Sequence, residues 1–195
     1  MARKIGLSIN DVVGAAVRIA DADGLEAVTL ASVAARLGVR SPSLYAHVDG
    51  LDGLRRLLSL RAAGGMAEAL RAAVAGRAGE EALRAIAHAY RRFAGEHPGM
   101  YEAAQRAVRP GEDDELYGAL GRVAQPALEA LAEAAVEVGE RVHLTRALRS
   151  ALHGFVALER VGGFGMPEDV DESFARLVEL LLAGVRAAAV PGDPM

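Results

Sequence analysis

The residues whose types and spacing could do chemistry lie between Thr29 and Val48, in the run Thr-Leu-Ala-Ser-Val-Ala-Ala-Arg-Leu-Gly-Val-Arg-Ser-Pro-Ser-Leu-Tyr-Ala-His-Val. Thr29 is placed to cap a helix in which Leu30, Val33, Ala34 and Leu37 recur at helical spacing, and Gly38 falls where a left-handed residue closes it. Ser41 followed by Pro42 predicts an N-cap with proline at the first helical position, opening a second short helix through Leu44, Tyr45 and His47 that stops near Asp49-Gly50. The pair reads as a helix-turn-helix: Ala34 lets the helices approach, and Leu44 packs the second back on the first. Arg40, Ser41, Ser43, Tyr45 and His47 then face outward near the N-terminal half of a helix that fits a major groove. Short polar side chains and backbone amides there suit phosphate oxygens, as does the Thr29 hydroxyl. On spacing alone, two helices packed for stability remain as open a reading as DNA binding.

Other chemistry is scarce. Cysteine is absent, which removes disulfides, thiolate metal sites and a cysteine nucleophile. Glu140 and His143 make one Glu-x-x-His pair, whereas a di-iron bundle needs two such pairs and further glutamates. His47, His88 and His97 have no metal-ligand spacing, and there is no nucleophile elbow, phosphate-binding loop or dinucleotide fingerprint. Neither catalysis nor a cofactor is expected.

The elements that must position the 29–48 segment are helical. Only four Ile and two Thr occur, with no Trp, four Tyr and four Phe, against a background of Ala, Leu, Arg and Glu. Ser8 with Asp11 predicts a capped first helix carrying Val12, Val13, Ala16 and Ile19 and ending at Gly24. A longer helix is expected from about 51 to 75, with Gly64-Gly65 as a point of bending. Glycine and proline clusters then predict segments near 80–96, 99–107, 113–138, 140–161 and 170–189, with Pro126 kinking or splitting the third of these. The expectation is an all-α chain of about nine helices: a three-helix head over 1–50, and a helical bundle over 51–195 of which 51–75 is the connecting helix. Net charge is −4, but the first 61 residues carry eight Lys+Arg against six Asp+Glu, so the acidic excess lies beyond them. The first ten residues have no signal-peptide core, and no apolar run approaches the ~18–20 residues that span a bilayer. A cytoplasmic protein without membrane partners is expected.

From Ser8 to Leu58 the chain resembles the DNA-binding domain of the TetR family of bacterial repressors, whose threonine, small-residue crossing, Leu-Gly-Val, Ser-Leu-Tyr and His-Val recur here in order. The resemblance implies a homodimer whose recognition helices read a palindromic double-stranded operator and whose larger domain binds a small-molecule effector. It implies that Thr29, Tyr45 and His47 contact or pack on the phosphate backbone, and that Arg40, Ser41, Pro42 and Ser43 open the recognition helix, where base contacts vary. Arg3 and Lys4, the lone lysine, could reach phosphate or the minor groove as an arm, or be an ordinary solvated terminus. Many members place a lysine where this chain has Leu51, which leaves two alternatives: Arg55 or Arg56 replaces that contact, or the affinity for DNA is lower.

Beyond residue 61, His153-Gly154 and Leu158-Glu159 resemble the TetR subset marked by a Trp and His-Gly signature, although this chain has no tryptophan. In the family the last two long helices pair across a dimer, and residues 140–161 and 170–189 are apolar over more than one face. Seven of the eight aromatics lie beyond residue 61. Met66, Tyr90, Phe93, Met100, Tyr101, Tyr117 and His153 are the candidate pocket residues, with plain core the competing reading for each. The rival function is a helical dimer that serves as a protein-interaction module, its helix-turn-helix no longer binding DNA.

Overall fold

The computed structural model describes residues 6–189. Their regular structure is helical, apart from an isolated antiparallel bridge between Val136 and Ala189. The helices are α1 (Ile9–Asp23), α2 (Leu30–Leu37), α3 (Gly50–Val74), α4 (Gly79–Glu96), α5 (Pro98–Ala103), α6 (Asp114–Glu133), α7 (Val138–Arg160) and α8 (Val170–Ala188). Two 3-10 helices, Leu25–Ala27 and Ser41–Ala46, flank α2. Among the described residues, no helix is long and apolar enough to cross a membrane.

The ends of these helices follow from local hydrogen bonding. Ser8 Oγ accepts the Asp11 N–H at 3.2 Å while the Asp11 carboxylate accepts the Ser8 N–H at 2.9 Å, a reciprocal box that fixes the start of α1. The Ser8 hydroxyl and N–H also hold the Asp11 carboxyl below the usual carboxylate range. Two expected boundaries differ. α5 stops at Ala103 rather than running to 107. α6 ends at Glu133 because Ala135 turns left-handed (φ 58°) and the Val136 N–H closes on the Leu131 carbonyl at 3.0 Å. Pro126 does not split α6: it removes one N–H from the ladder, and the alanines and leucines around it carry the helix on. α3 likewise runs unbroken through Gly64-Gly65.

By internal contacts the chain forms two compact units, residues up to Gly65 with Glu96–Leu120, and Met66–Gly95 with the residues from Gly121 on. In the first unit α5 lies backbone to backbone on α1. A Cβ at Gly99 would sit 2.1 Å from the carbonyl carbon of Ala20, so only glycine permits the contact. Asp21 Oδ1 then accepts the Met100 N–H at 2.9 Å. Arg56 of α3 grips the start of α6 by giving Nε and Nη2 to Asp113, at 2.5 and 2.8 Å, and Nη2 also to Glu115 at 2.7 Å. That guanidinium holds the Asp113 carboxyl well below its ordinary range, and the two carboxylates raise the pKa of Arg56 in return.

In the second unit, α4 buries Leu83, Ile86, Tyr90 and Phe93, and α8 buries Phe174, Val178, Leu182 and Val185. Arg91 of α4 joins three elements. Its guanidinium lies 4.8 Å over the Phe174 ring and 5.6 Å from that of Phe155, donates to Glu159 of α7, and pairs with Asp171 of α8 at 2.7 Å. Phe155 also meets Phe164, from the loop between α7 and α8, at 4.7 Å between ring centres.

Candidate nucleic-acid interface

Thr29 begins α2 as expected, and its partner is Ser32. Thr29 Oγ1 accepts the Ser32 N–H at 3.0 Å, and Ser32 Oγ accepts the Thr29 N–H at 3.0 Å. Ser32 Oγ lies 2.8 Å from the Ala27 carbonyl as well, which ties the start of α2 to the turn before it. Sequence reasoning passed over Ser32, although the Thr-x-x-Ser spacing is a variant of the capping-box signal.

Gly38 takes the left-handed conformation (φ 67°), and the Val39 N–H bonds back to the Ala34 carbonyl at 3.0 Å. The chain then enters a 3-10 rather than an α-helix. Ser41, expected as an N-cap, is its first helical residue. Arg40 caps by backbone alone, because the Ser43 N–H closes a three-residue turn on the Arg40 carbonyl at 2.9 Å. Leu44 of this element and Val28, Val33, Ala34 and Val48 around it are buried, and the turn packs on α2.

The outer face carries the expected side chains. Thr29, Arg40, Pro42 and Ser43 are exposed, Tyr45 is 62% exposed, and Ser41 and His47 are half-buried. An exposed tyrosine ring above a fully buried Leu44 is poorly explained by packing and well suited to a ligand surface. Lys4 lies outside the described residues.

Leu51, Arg55 and Arg56 differ in what they can offer. Leu51 is half-buried in the first turn of α3, and Arg56 is committed to Asp113 and Glu115. Arg55 meets a single carboxylate, Glu26, at 3.4 Å, and its Nε has no hydrogen-bond partner.

The candidate pocket residues do not share one unit. Met66, Tyr90 and Phe93 are buried in the second unit, where His153 is half-buried on α7. Met100 and Tyr101 are buried in the first, where Tyr117 is 48% exposed on α6. Two open grooves of about 390 and 400 Å³ run along α4 in the second unit and share His88 and Arg92; none of the seven candidates lines either. Their walls are charged, with Arg77, Glu81 and Arg84 in one and Arg91 and Glu159 in the other. Among the described residues, no group of acidic residues and histidines is arranged to hold a metal ion.

Comparison with known proteins accounts for this combination of exposed turn-helix and helical bundle. A family described as "Tetracyclin repressor-like, C-terminal domain" matches residues 83–181. Rv0681 of Mycobacterium tuberculosis, named an uncharacterized HTH-type transcriptional regulator, is 34% identical over 98% of this chain and 88% of its own length. YobS of Bacillus subtilis, named in the same way, is 35% identical over 95% of this chain and 96% of its own. The crystal structure of the Streptomyces coelicolor TetR family protein ActR in complex with (S)-DNPA superposes with a TM-score of 0.62 over 95% of this chain and all of that one. At 19% identity that last likeness is one of fold. A matched C-terminal domain and two relatives similar over nearly their whole length, joined to a helix-turn-helix with its polar face free, establish that this chain belongs to the TetR family of transcriptional regulators.

Proposed function

We propose that this protein is a ligand-responsive repressor that binds a palindromic operator as a homodimer and is released by a small, largely apolar effector. The observation that carries the reading is the exposed row of Thr29, Arg40, Pro42, Ser43 and Tyr45 over a tightly packed turn, with Ser41 and His47 at its edge. In this reading residues 1–50 meet DNA in the cytoplasm, Lys4 among them. Residues 51–195 take up the effector and pair two copies, and 51–75 connects the two functions.

Pairing is supported by the apolar side chains left uncovered in the second unit: Val138, Val142, Leu158 and Val161 on and just after α7, and Leu180 on α8. A second copy is the occupant that fits, because one recognition element of this length buries little surface and two-fold pairing doubles it. Effector binding is supported by the family membership and by the small molecule in the ActR structure. Met66, Tyr90, Phe93 and His153, all of the second unit, are the proposed effector contacts.

The test is a titration of the protein against the DNA upstream of its own gene and against a random duplex, at fixed salt. Specific retention of the upstream fragment supports the reading. Equal or absent binding removes it and favours a protein-interaction role for the dimer. Screening apolar metabolites by thermal shift, then repeating the operator titration with each hit, tests regulation. A coupling of ~1–3 kcal/mol changes operator affinity about 5- to 150-fold, and stabilising hits that leave it unchanged count against an effector role.

A further inference from the structure

Among the described residues, four arginines fill the side-on Nε/Nη2 edge of the guanidinium with a carboxylate: Arg56 with Asp113, Arg84 with Glu179, Arg91 with Glu159 and Arg176 with Glu172. Arg55 does not. Arg55 makes one bond, from Nη2 to Glu26 Oε2 at 3.4 Å, and its Nε is buried without an acceptor. A charge-assisted N–H···O bond is ordinarily about 2.7–2.9 Å, so this contact is loose. Its partner is also the most solvated of these carboxylates, with the Glu26 side chain 87% exposed.

The location gives the vacancy a meaning. Arg55 stands in the second turn of α3, and helical side chains lean toward the N-terminus of their helix. Its guanidinium therefore reaches back to the Leu25–Ala27 turn, three residues before the exposed Thr29 hydroxyl. An edge of two parallel N–H donors matches two oxygens of a phosphate as well as it matches a carboxylate.

We propose that Arg55 is a phosphate-contacting side chain of the DNA interface and that Glu26 is its counter-ion in the free protein, exchanged for the DNA backbone on binding. The guanidinium swings off Glu26, which uncovers Nε, and presents both donors to one phosphate. Arg56, although adjacent in sequence, stays with Asp113 and Glu115. The inference rests on the DNA-binding reading above and names one of its contacts.

The experiment measures binding to a random 20-base-pair duplex over a range of salt, because a phosphate contact is independent of sequence. Each phosphate neutralised contributes about 0.9 to the slope of log affinity against log salt. Arg55→Gln is expected to reduce the slope by about 0.9 per bound protomer, while Arg55→Lys, which keeps the charge, retains it. Glu26→Gln is expected to tighten binding about 1.5- to 5-fold, the range set by an exposed ion pair, and to do so less in the Arg55→Gln background. An unchanged slope in Arg55→Gln overturns the contact, and equal tightening in both backgrounds overturns the counter-ion role of Glu26. If the parent itself shows no salt-dependent binding, the DNA-binding reading falls and this inference with it. If the parent binds and Arg55→Gln matches it, only this inference falls.

Discussion

Replacing Gly99 by alanine would place a methyl group 2.1 Å from the carbonyl carbon of Ala20, 2.2 Å from its oxygen and 2.5 Å from its Cβ. These are backbone or near-backbone atoms of α1, so no side-chain rotation relieves them, and α5 must move outward by more than an ångström to reach ordinary contact. Overpacking of this kind costs about 1–3 kcal/mol. The same movement pulls the Met100 N–H off Asp21 Oδ1, a hydrogen bond to a charged group worth about 1.5–3 kcal/mol. A loss of about 2.5–6 kcal/mol is expected, and at roughly 2–4 °C per kcal/mol for a chain of this size the melting temperature falls by about 5–24 °C. The control is Gly64→Ala in α3, where the added methyl meets nothing within 4 Å and the helix gains about 0.5–1 kcal/mol. Thermal unfolding followed by circular dichroism measures both. Melting of Gly99→Ala within 1–2 °C of the parent, below what even the smaller cost produces, would refute the direct α1–α5 contact.

The Arg56–Asp113 pair sets a pH dependence. The folded pKa of Asp113 lies below the unfolded value of about 3.9, so the pair's contribution is fully present above that value and is lost as pH falls through the folded one. Melting curves of the parent and Asp113→Asn should therefore differ at neutral pH and converge below about pH 4; a constant gap would contradict this. Thr29→Ala should weaken specific and random duplexes alike and lower stability by about 1 kcal/mol through the lost cap, with Thr29→Ser restoring the stability. Ser43→Ala, by contrast, should alter sequence preference if Ser43 reaches a base edge, which a duplex selection measures. Leu180→Arg, at a position 70% exposed, should leave the protomer folded and shift sedimentation toward monomer; an unchanged dimer would place the pairing surface elsewhere.

What was legible in the sequence was whatever is set by local chemistry. Ser8, Thr29 and Gly38 each sit at the helix end that their hydrogen-bonding or conformational preference dictates, and Ala34 and Leu44 are buried at the helix crossing. What was not legible depended on distant partners or on a residue acting against its type. The end of α6 has no glycine signal because an alanine takes the left-handed position there. The Ser41–Ala46 segment gave every sign of an α-helix, and its 3-10 form follows from a backbone bond that composition does not encode. The different fates of Arg55 and Arg56, adjacent and chemically identical, are decided by Glu26, Asp113 and Glu115, which lie 29 to 59 residues away.

The shielding of the Arg56 and Arg91 clusters bears on how any salt titration of this protein is read. In the Arg56–Asp113 and Arg91–Glu159 pairs neither side chain is more than 35% exposed, whereas in the Arg55–Glu26 pair the carboxylate is 87% exposed. Mobile ions screen solvated charges over a Debye length of about 8 Å at physiological ionic strength but reach partly buried pairs much less. The Glu26–Arg55 pair and the surface of Thr29, Arg40 and Tyr45 are open to those ions. Raising salt therefore titrates the outer surface while the internal ties of each unit persist. A change in DNA affinity across such a series is therefore expected to report the phosphate contacts of that outer surface.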